Sequence, residues 1–286
     1  MSTKSTDPSC SVIIPAYNER NCIGSTLHSL TKEAKTGEFD VIIVCNGCSD
    51  NTAEIAREAC EQARIVETPV ASKTNALNIG LQEARCKMVV FLDADIKTSA
   101  TSVRLLLKAL IASNCDLAFG KAEFNTKNCS PAVGAFYQAW HLNPYFDGGK
   151  VGGFFAVSAA GLKRLSSFPD LTNDDEYVRR MLMANSVFVP AATYAVEPPR
   201  TLASLIKVRS RVYRGNKQLA ALNVPAAHNQ QHDNASRFLW RLVRNPRAWA
   251  GAFVFATVAV AAHLRNRAVK TIDRWEQDLT ARAIQG

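Results

Sequence analysis

Several common signatures of nucleotide-dependent and nucleic-acid-binding proteins are missing from this 286-residue sequence. Neither Gly-x-Gly-x-x-Gly nor Gly-x-x-x-x-Gly-Lys occurs, which counts against a dinucleotide dehydrogenase and a P-loop NTPase. There is also no zinc-finger spacing, no RNP motif and no helix-turn-helix pattern. We therefore expect no nucleic-acid partner.

A disulfide framework and a secretory signal are missing too. The eight cysteines lie between Cys10 and Cys129 without paired spacing, and the polar start MSTKSTDPSC has no apolar segment. Cys45 and Cys48 form one Cys-x-x-Cys pair, but no second pair or histidine cluster is nearby, so a zinc or redox site is the weaker alternative. We expect reduced thiols and a cytoplasmic protein.

Excess positive charge is confined to the C-terminal part of the chain. Residues 1–199 carry 19 Lys and Arg against 21 Asp and Glu, whereas residues 200–286 carry 15 against 4. A basic segment beside a nearly neutral domain favours an anionic partner, such as a diphosphate or an anionic lipid surface. The hydrophobic content of 47% is enough for a large buried core.

Short apolar runs alternate with helical patterns along the first 120 residues. This alternation predicts an α/β fold with a mostly parallel central sheet flanked by helices. The predicted strands are Cys10–Ala16, Phe39–Val44, Ile65–Thr68, Met88–Leu92 and Asp116–Gly120. The predicted helices are one with Ile23, Leu27 and Leu30 on its apolar face, followed by Thr52–Arg64, Ser72–Ala84 and Thr101–Ala112.

Polar side chains follow the first, second and fourth predicted strands. The fourth is followed directly by Asp93 and Asp95, whose carboxylates can point the same way in extended backbone. Because ligands of open α/β sheets bind outside the carboxyl ends of the strands, this edge is a candidate site. Two hard oxygen ligands suit Mg²⁺ or Mn²⁺ holding a phosphate, and a solvated turn is the alternative. The other polar side chains expected at this edge are Tyr17, Asn18, Glu19, Asn46 and Asp50.

Four segments of the first half match motifs of one known family. They are Ser11–Glu19 (SVIIPAYNE), Val44–Thr52 (VCNGCSDNT), Ala71–Gly80 (ASKTNALNIG) and Phe91–Asp95 (FLDAD). Taken in this order, they resemble the family 2 glycosyltransferases of the GT-A fold. The resemblance implies a GT-A type sheet, and it does not extend to the C-terminal part of the chain, for which the residues themselves predict a basic helical extension. It also implies a metal-dependent, inverting transfer of a sugar from a nucleoside-diphosphate sugar to a hydroxyl acceptor.

The resemblance assigns roles to individual residues of the first half. Asp95, supported by Asp93, would hold Mn²⁺ or Mg²⁺ against the diphosphate. Asn46 stands where the family usually has Asp, which leaves the identity of the base open. The residues implied for the donor pocket are Pro15, Tyr17, Asn18, Glu19, Asn46, Asp50, Lys73, Asp93 and Ala94.

The resemblance continues in the second half with a glycine-led strand, Val151–Val157. Gly152 and Gly153 would let a sugar approach the backbone closely, and a turn or a tightly packed strand is the alternative.

An acidic pair then stands at a predicted helix N-terminus within Leu171–Arg180. By its match to the family, Asp175 is the general base, with Asp174 beside it. Two adjacent carboxylates raise each other's proton affinity, which suits a group that takes a proton from a sugar hydroxyl. The alternative is a solvated cluster of the kind that helix N-termini favour.

A basic amphipathic stretch, Ile206–Leu219, offers Arg209, Arg211 and Arg214 as candidates for binding the diphosphate. A solvated basic face is the alternative. Processive members of the family carry Gln-x-x-Arg-Trp here, but this chain has Val212 where the Trp would stand. That departure favours transfer of one sugar per binding event.

We predict a catalytic domain over residues 1–222, with a nucleotide-sugar half at 1–122 and an acceptor half at 123–222. Residues 223–286 form a basic helical tail whose stretch 248–264 is apolar up to His263. This stretch is either an interfacial helix on the inner face of the cell membrane or a helix packed on the domain. The expected acceptor is a sugar, a lipid-linked sugar or a glycan, in envelope glycan or glycolipid synthesis.

Two other functions are considered. A nucleotidyltransferase that makes nucleotide sugars usually opens with a Gly- and Arg-rich loop, whereas this chain has Pro15 and Glu19 there. A nucleotide-sugar-binding protein with a degenerate, non-catalytic site is supported by Asn46 and opposed by the intact acidic motifs.

Overall fold

A computed structural model describes residues 7–222, 224, 231–268 and 280–281. Strands and helices alternate from the first strand onward. The strands are β1 (Cys10–Ala16), β2 (Phe39–Asn46), β3 (Arg64–Thr68), β4 (Val89–Leu92), β5 (Ile96–Thr98), β6 (Leu117–Phe124), β7 (Phe154–Val157) and β8 (Ser186–Val196). The helices are α1 (Ile23–Thr31), α2 (Thr52–Ala59), α3 (Lys73–Glu83), α4 (Ala100–Ala112), α5 (Pro131–Trp140), α6 (Ala159–Leu165), α7 (Asp174–Leu182), α8 (Leu202–Ala221), α9 (Gln231–Val243) and α10 (Trp249–Ala268).

The eight strands form one sheet in the order β3-β2-β1-β4-β7-β6-β8-β5. The pairs β3–β2, β2–β1, β1–β4 and β6–β8 are parallel, and the pairs β4–β7, β7–β6 and β8–β5 are antiparallel. The predicted α/β fold with a mostly parallel sheet is confirmed. The predicted division after residue 122 falls within β6, so both proposed halves contribute to the same sheet.

The central strands are buried on both faces, which is why they read as continuous apolar runs in the sequence. Along β1, Val12 and Ile14 pack on one face together with Leu27 and Leu106 from α1 and α4. Ile13 points to the opposite face, into a cluster shared with α3 and α7. The alternation of side chains along a strand thus gives the sheet a core on each face.

The structure differs from the predicted elements in several places, and α5, α6 and β8 were not predicted. The second helix ends at Ala59 rather than Arg64, because Cys60 has extended backbone angles (φ −150°, ψ 90°). β5 was not predicted, since it has only three residues and Lys97 is exposed between two buried neighbours. The predicted strand Asp116–Gly120 continues to Phe124, because β8 pairs with it beyond a register shift after Gly120.

The C-terminal helix α10 packs on the α/β core through α5 and α8. Val258 is fully buried in a cluster with Val133 and Phe136 of α5. Gly251 approaches the Ala135 carbonyl so closely that a Cβ would overlap it. One face of this helix is therefore an integral part of the packed domain. Residue 223, the first of the predicted tail, lies outside the described residues.

Replacing Gly80 with Ala should destabilise the fold, because a Cβ at this buried position in α3 would overlap Ile13 Cγ2. Overpacking of this kind costs about 1–3 kcal/mol, against about 1 kcal/mol gained from helix propensity. We expect a net loss of about 1 kcal/mol, measured as a lower urea midpoint. The matched control is Gly134→Ala in α5, whose Cβ would meet nothing within 4 Å. It should raise the midpoint, and an equal rise for Gly80→Ala would contradict the close packing.

Candidate active site

A cavity of about 780 Å³ lies at the carboxyl ends of β1 and β4, between the sheet edge and helices α7 and α8. Most of the residues singled out in the sequence line it, although they come from distant segments. They are Pro15, Glu19, Lys73, Asp93, Ala94, Asp95, Gly152, Gly153, Asp174, Asp175, Arg209 and Arg211.

The ammonium of Lys73 connects the two acidic motifs. Its Nζ lies 2.7 Å from Asp93 Oδ1 and 2.9 Å from Asp174 Oδ2. Lys73 is the first residue of α3, and the hydroxyl of Ser72 caps this helix by accepting a hydrogen bond from the Asn75 N–H. The strand end at β4 and the start of α7 are thus held together by one cation.

The charges of this group shift one another's protonation. Burial lowers the pKa of the Lys73 ammonium, but Asp174 and Asp93 outweigh it and hold this pKa above its usual value. Burial raises the pKa of Asp93 to about 6; Lys73 opposes this shift, and Asp174 and Asp95 add to it. Lys73 therefore stays protonated and offsets the repulsion between the carboxylates.

The acidic pair Asp174 and Asp175 begins α7, as predicted. Asp174 is buried and bound by Lys73. Asp175 accepts a hydrogen bond from the Glu176 N–H at 2.8 Å. Burial raises the pKa of Asp175, Asp174 adds to this effect, and Lys150 and Lys73 oppose it. A carboxylate with a raised pKa at the wall of a cavity is suited to accept a proton.

Glu176, the third acidic residue of this turn, is paired with two arginines of the same helix. Its carboxylate accepts hydrogen bonds from Arg179 at 2.7 Å and from Arg180 at 2.9 Å. Although burial raises the pKa of Glu176, the two guanidinium groups outweigh it and hold this pKa below its usual value. Glu176 is therefore held as an anion in an ion-pair network.

The start of α7 is fixed by α8. The side-chain amide of Asn173 donates to the Val212 carbonyl at 3.1 Å and to Asn216 Oδ1 at 3.0 Å. The Thr172 N–H donates to Gln218 Oε1 at 2.9 Å. The basic stretch recognised in the sequence thus positions the acidic pair, in addition to contributing Arg209 and Arg211 to the cavity wall.

The two glycines before β7 are required by neighbouring side chains. A Cβ on Gly153 would overlap the Asp93 carboxylate, and a Cβ on Gly152 would lie 2.5 Å from the Tyr194 hydroxyl. The Asp93 N–H also donates to the Gly153 carbonyl at 2.8 Å. The sequence predicted room for a sugar here, whereas the structure fills the Cβ side of both glycines with protein atoms.

Gly153→Ala should therefore displace the Asp93 carboxylate from Lys73. We expect donor affinity to fall at least about tenfold, corresponding to 1.4 kcal/mol, in calorimetric titration. Gly148→Ala is the matched control, because its Cβ would meet nothing within 4 Å. Equal donor affinity in the two variants would show that the Asp93 position is not important for binding.

Five predicted site residues do not line this cavity: Tyr17, Asn18, Asn46, Asp50 and Arg214. The side chain of Asn46 is fully buried and has no hydrogen-bond partner among the described residues, so it does not reach a base in this structure. Asn18, with a positive φ of 50°, accepts a hydrogen bond from the Ser49 N–H at 2.8 Å. Asp50 accepts one from the Thr52 N–H at 3.0 Å, at the start of α2. These contacts shape the two loops beside the cavity.

Several cavity residues were not found from the sequence. Tyr145, Lys150, Arg179 and Tyr194 all line it. The Arg179 guanidinium lies 5.7 Å from the centre of the Tyr145 ring. No spacing rule in the sequence separates these residues from ordinary surface or core positions. Tyr145 and Lys150 lie between α5 and β7, Arg179 on α7 and Tyr194 on β8, so only the packing of distant segments brings them together.

A second part of the cavity lining, which we call the aromatic end, is formed by aromatic side chains. It includes Tyr137 and Trp140 from α5, together with Phe238 and Phe255 from α9 and α10. The Arg209 guanidinium lies 5.3 Å from the centre of the Trp140 ring, a cation–π contact. The cavity therefore joins a charged end to an aromatic end.

The residues present fit a divalent cation at the charged end. Asp93 and Asp95 are hard oxygen donors that both line the cavity, and the motif match makes Asp95 the principal candidate ligand, with Asp93, which also contacts Lys73, in support. Among the described residues, no group of three or more His, Cys, Asp or Glu is placed to hold a metal. Cys45 and Cys48 are therefore not part of such a group. A cation at the charged end of the cavity would need further ligands from a phosphate group and water.

Comparison with known proteins identifies relatives of the first half of the chain. The family model described as Glycosyl transferase family 2 matches residues 11–158. The glycosyltransferase AglE of Haloferax volcanii is 31% identical over 134 residues, which cover 45% of this chain and 44% of AglE. The matched region spans less than half the length of the first curated relatives.

Solved structures resemble the chain over a larger part of its length. The mannosyltransferase PcManGT from Pyrobaculum calidifontis, in complex with GDP-Man and Mn²⁺, has a TM-score of 0.58 and 19% identity, covering 93% of this chain and 77% of its own. Glucosyl-3-phosphoglycerate synthase from Mycobacterium tuberculosis, in complex with Mn²⁺ and UDP-Glc, has a TM-score of 0.52 and 22% identity, covering 76% and 80%. At these identities, the likeness shows a shared GT-A type fold.

Proposed function

The chain belongs to glycosyl transferase family 2, and from this premise we propose that it moves one sugar from a nucleoside-diphosphate sugar to a hydroxyl acceptor. The observation that carries the proposal is the continuous set of Asp93, Lys73 and Asp174 beside Asp95 and Asp175 on one cavity wall. Donor binding and proton removal would then take place in the same space.

The charged end of the cavity is the proposed donor site. Asp95, with Asp93, would hold Mn²⁺ or Mg²⁺ against the donor diphosphate. When bound, the cation would stabilise the negative charge of the departing nucleoside diphosphate. Lys73 would keep Asp93 and Asp174 in place, and Arg209 and Arg211 would add positive charge near the leaving group.

Asp175 is the proposed general base. It would take the proton from the acceptor hydroxyl as the hydroxyl oxygen attacks the anomeric carbon and the bond to the diphosphate oxygen breaks. Direct attack from the opposite face inverts the configuration at that carbon. Asp174 is less suited to this step because its carboxylate already accepts from Lys73 at 2.9 Å.

The aromatic end is the proposed acceptor site. Tyr137 and Trp140 could stack on a sugar ring, and Phe238 and Phe255 would suit the apolar part of a lipid-linked sugar. Processive members of the family have a Trp where this chain has Val212, so we propose that one sugar is transferred per binding event. We place this reaction in envelope glycan or glycolipid synthesis. A cytoplasmic location is supported by the eight cysteines, whose positions in the sequence lack the paired spacing of a disulfide framework.

The relatives support the choice of donor and metal. PcManGT was solved with GDP-Man and Mn²⁺, and the mycobacterial synthase with Mn²⁺ and UDP-Glc. Both combine a nucleotide sugar with a divalent cation. They differ in the base, and the burial of Asn46 leaves the base preference of this chain to experiment.

A thermal-shift screen of nucleotide sugars with and without Mn²⁺ tests the proposal. A ligand at 100 times its Kd stabilises the native state by about 2.7 kcal/mol, which is a shift of several degrees. We expect one nucleotide class to give this shift only with the metal. If no donor shifts the transition under either condition, the proposed donor site is wrong.

A further inference from the structure

The outer surface of the two C-terminal helices is unusually apolar. Of ten large hydrophobic side chains that are exposed in the described part of the chain, seven lie on α9 and α10, so the exposure is concentrated rather than scattered. We call this surface the outer face. It consists of Leu239, Trp240 and Val243 on α9 and of Trp249, Phe253, Val260 and Leu264 on α10. A concentrated apolar patch of this kind marks an interaction surface.

The residues of the outer face on α10 form one stripe. Trp249, Phe253, Val260 and Leu264 recur at spacings of four, seven and four, which place them along one side of an α-helix. Phe253 is 75% exposed, whereas Val258 and Ala262 on the opposite side are fully buried. At about 1.5 Å per residue, the stripe extends over more than 20 Å.

The packing of α10 determines whether this helix can cross a membrane or can only lie on its surface. Pro246–Arg267 is long and apolar enough to cross a bilayer by length and composition. However, Gly251 and Val258 hold the inner side of the helix against α5 and the buried aromatic cluster. Crossing a bilayer would require breaking these contacts, whereas lying flat on a surface would keep them.

The charged side chains around the outer face indicate which kind of surface it binds. Between residues 234 and 272 the sequence has no Asp or Glu. Arg237 and Arg241 are paired with Asp147, while Arg244, Arg247 and Arg267 are exposed beside the outer face. Asp147 is thus matched by two arginines, and the remaining charged side chains of this segment are cationic, so the apolar stripe and its border are complementary to an anionic lipid surface.

We propose that the outer face docks on an anionic lipid surface, with α10 lying in the plane of the interface. Trp240, which has an apolar body and a polar N–H, suits this depth, and Trp249, whose N–H donates to the Leu242 carbonyl at 3.0 Å, contributes its apolar ring. The inner sides of the same helices supply Phe238 and Phe255 to the aromatic end of the cavity. Docking therefore places that end next to the lipid. The proposal does not depend on sugar transfer, because it concerns only surface residues.

Vesicle co-sedimentation of the full chain tests the proposal. The probes are vesicles of phosphatidylcholine alone and of phosphatidylcholine with phosphatidylglycerol in equal amounts. We expect binding to the anionic vesicles that weakens with salt, and little binding to the neutral ones. The double variant Phe253→Ser, Val260→Ser should bind the anionic vesicles at least tenfold more weakly. Its fold is checked by an unchanged thermal transition, since both side chains are exposed.

The matched control replaces exposed apolar residues elsewhere. Val70 and Ile111 are 52% and 65% exposed and lie outside α9 and α10. The double variant Val70→Ser, Ile111→Ser should bind vesicles as the wild type does. Absence of binding to anionic vesicles, or an equal loss in the control, would overturn the proposal. So would a dimer in light scattering that becomes monomeric in Phe253→Ser, Val260→Ser, since the occupant would then be a second copy.

Discussion

Replacing Asp175 with Asn should reduce the rate of sugar transfer by about 10²–10⁴-fold while leaving donor binding intact. The amide keeps the shape of the side chain but cannot take a proton from the acceptor hydroxyl. Donor binding should survive because the groups assigned to it, Asp95, Asp93 and Lys73, are unchanged. Steady-state rates and a donor thermal shift, measured on the same preparation, separate the two effects.

The matched control for this substitution is Glu176→Gln. Glu176 lies in the same helical turn and lines the same cavity, but Arg179 and Arg180 already bind its carboxylate. We expect a rate loss of less than about tenfold, which is smaller than the loss of a general base. If Glu176→Gln slows transfer as much as Asp175→Asn, or if Asp175→Asn also abolishes donor binding, Asp175 is not the base.

Replacing Asp95 with Ala should remove the metal dependence of donor binding. The variant loses the principal candidate ligand for the cation, while Asp93 remains engaged by Lys73 at 2.7 Å. We expect loss of most of the about 2.7 kcal/mol by which a donor at 100 times its Kd stabilises the wild type. The measurement is the thermal shift with donor and Mn²⁺.

The wild type without Mn²⁺ is the natural control for Asp95→Ala. Metal removal and the substitution should have the same effect, and they should not add to each other. A variant that keeps a Mn²⁺-dependent shift equal to that of the wild type would show that the cation is held elsewhere.

The central strands and the acidic motif at the end of β4 could be predicted because their signals are local. β1, β2 and β4 are buried on both faces, so each reads as an apolar run, and a strand end fixes where Asp93 and Asp95 emerge. The match of several motifs in order then identified the family. Each of these inferences needs only neighbours in the sequence.

Other features of the site depend on the direction of a side chain in a loop or on contacts between residues far apart in the sequence. Neither can be predicted from local sequence patterns. Asn46 was predicted in the loop after the second strand, but it is the last residue of β2 and its side chain is buried in the interior. Asp50 accepts a hydrogen bond from the Thr52 N–H at the start of α2 and does not line the cavity. The bridge from Lys73 to Asp174 joins residues about one hundred positions apart. No spacing rule predicts such a pair.

The environment of the C-terminal helix α10 could not be predicted from the sequence either. The sequence left open whether residues 248–264 lie on a membrane or pack on the domain. The structure shows that one side of α10 is packed and the other is exposed. Because the composition of this helix is apolar on both sides, only its neighbours distinguish them.

The most direct test of the proposed activity is release of nucleoside diphosphate by the purified full chain. The donor identified by thermal shift is incubated with Mn²⁺ and a panel of sugar, lipid-linked sugar and glycan acceptors. We predict that release depends on the metal, increases with one acceptor class and is lost in Asp175→Asn. A donor that binds but is turned over no faster by the wild type than by Asp175→Asn, with every acceptor, would contradict the account and favour a nucleotide-sugar-binding protein.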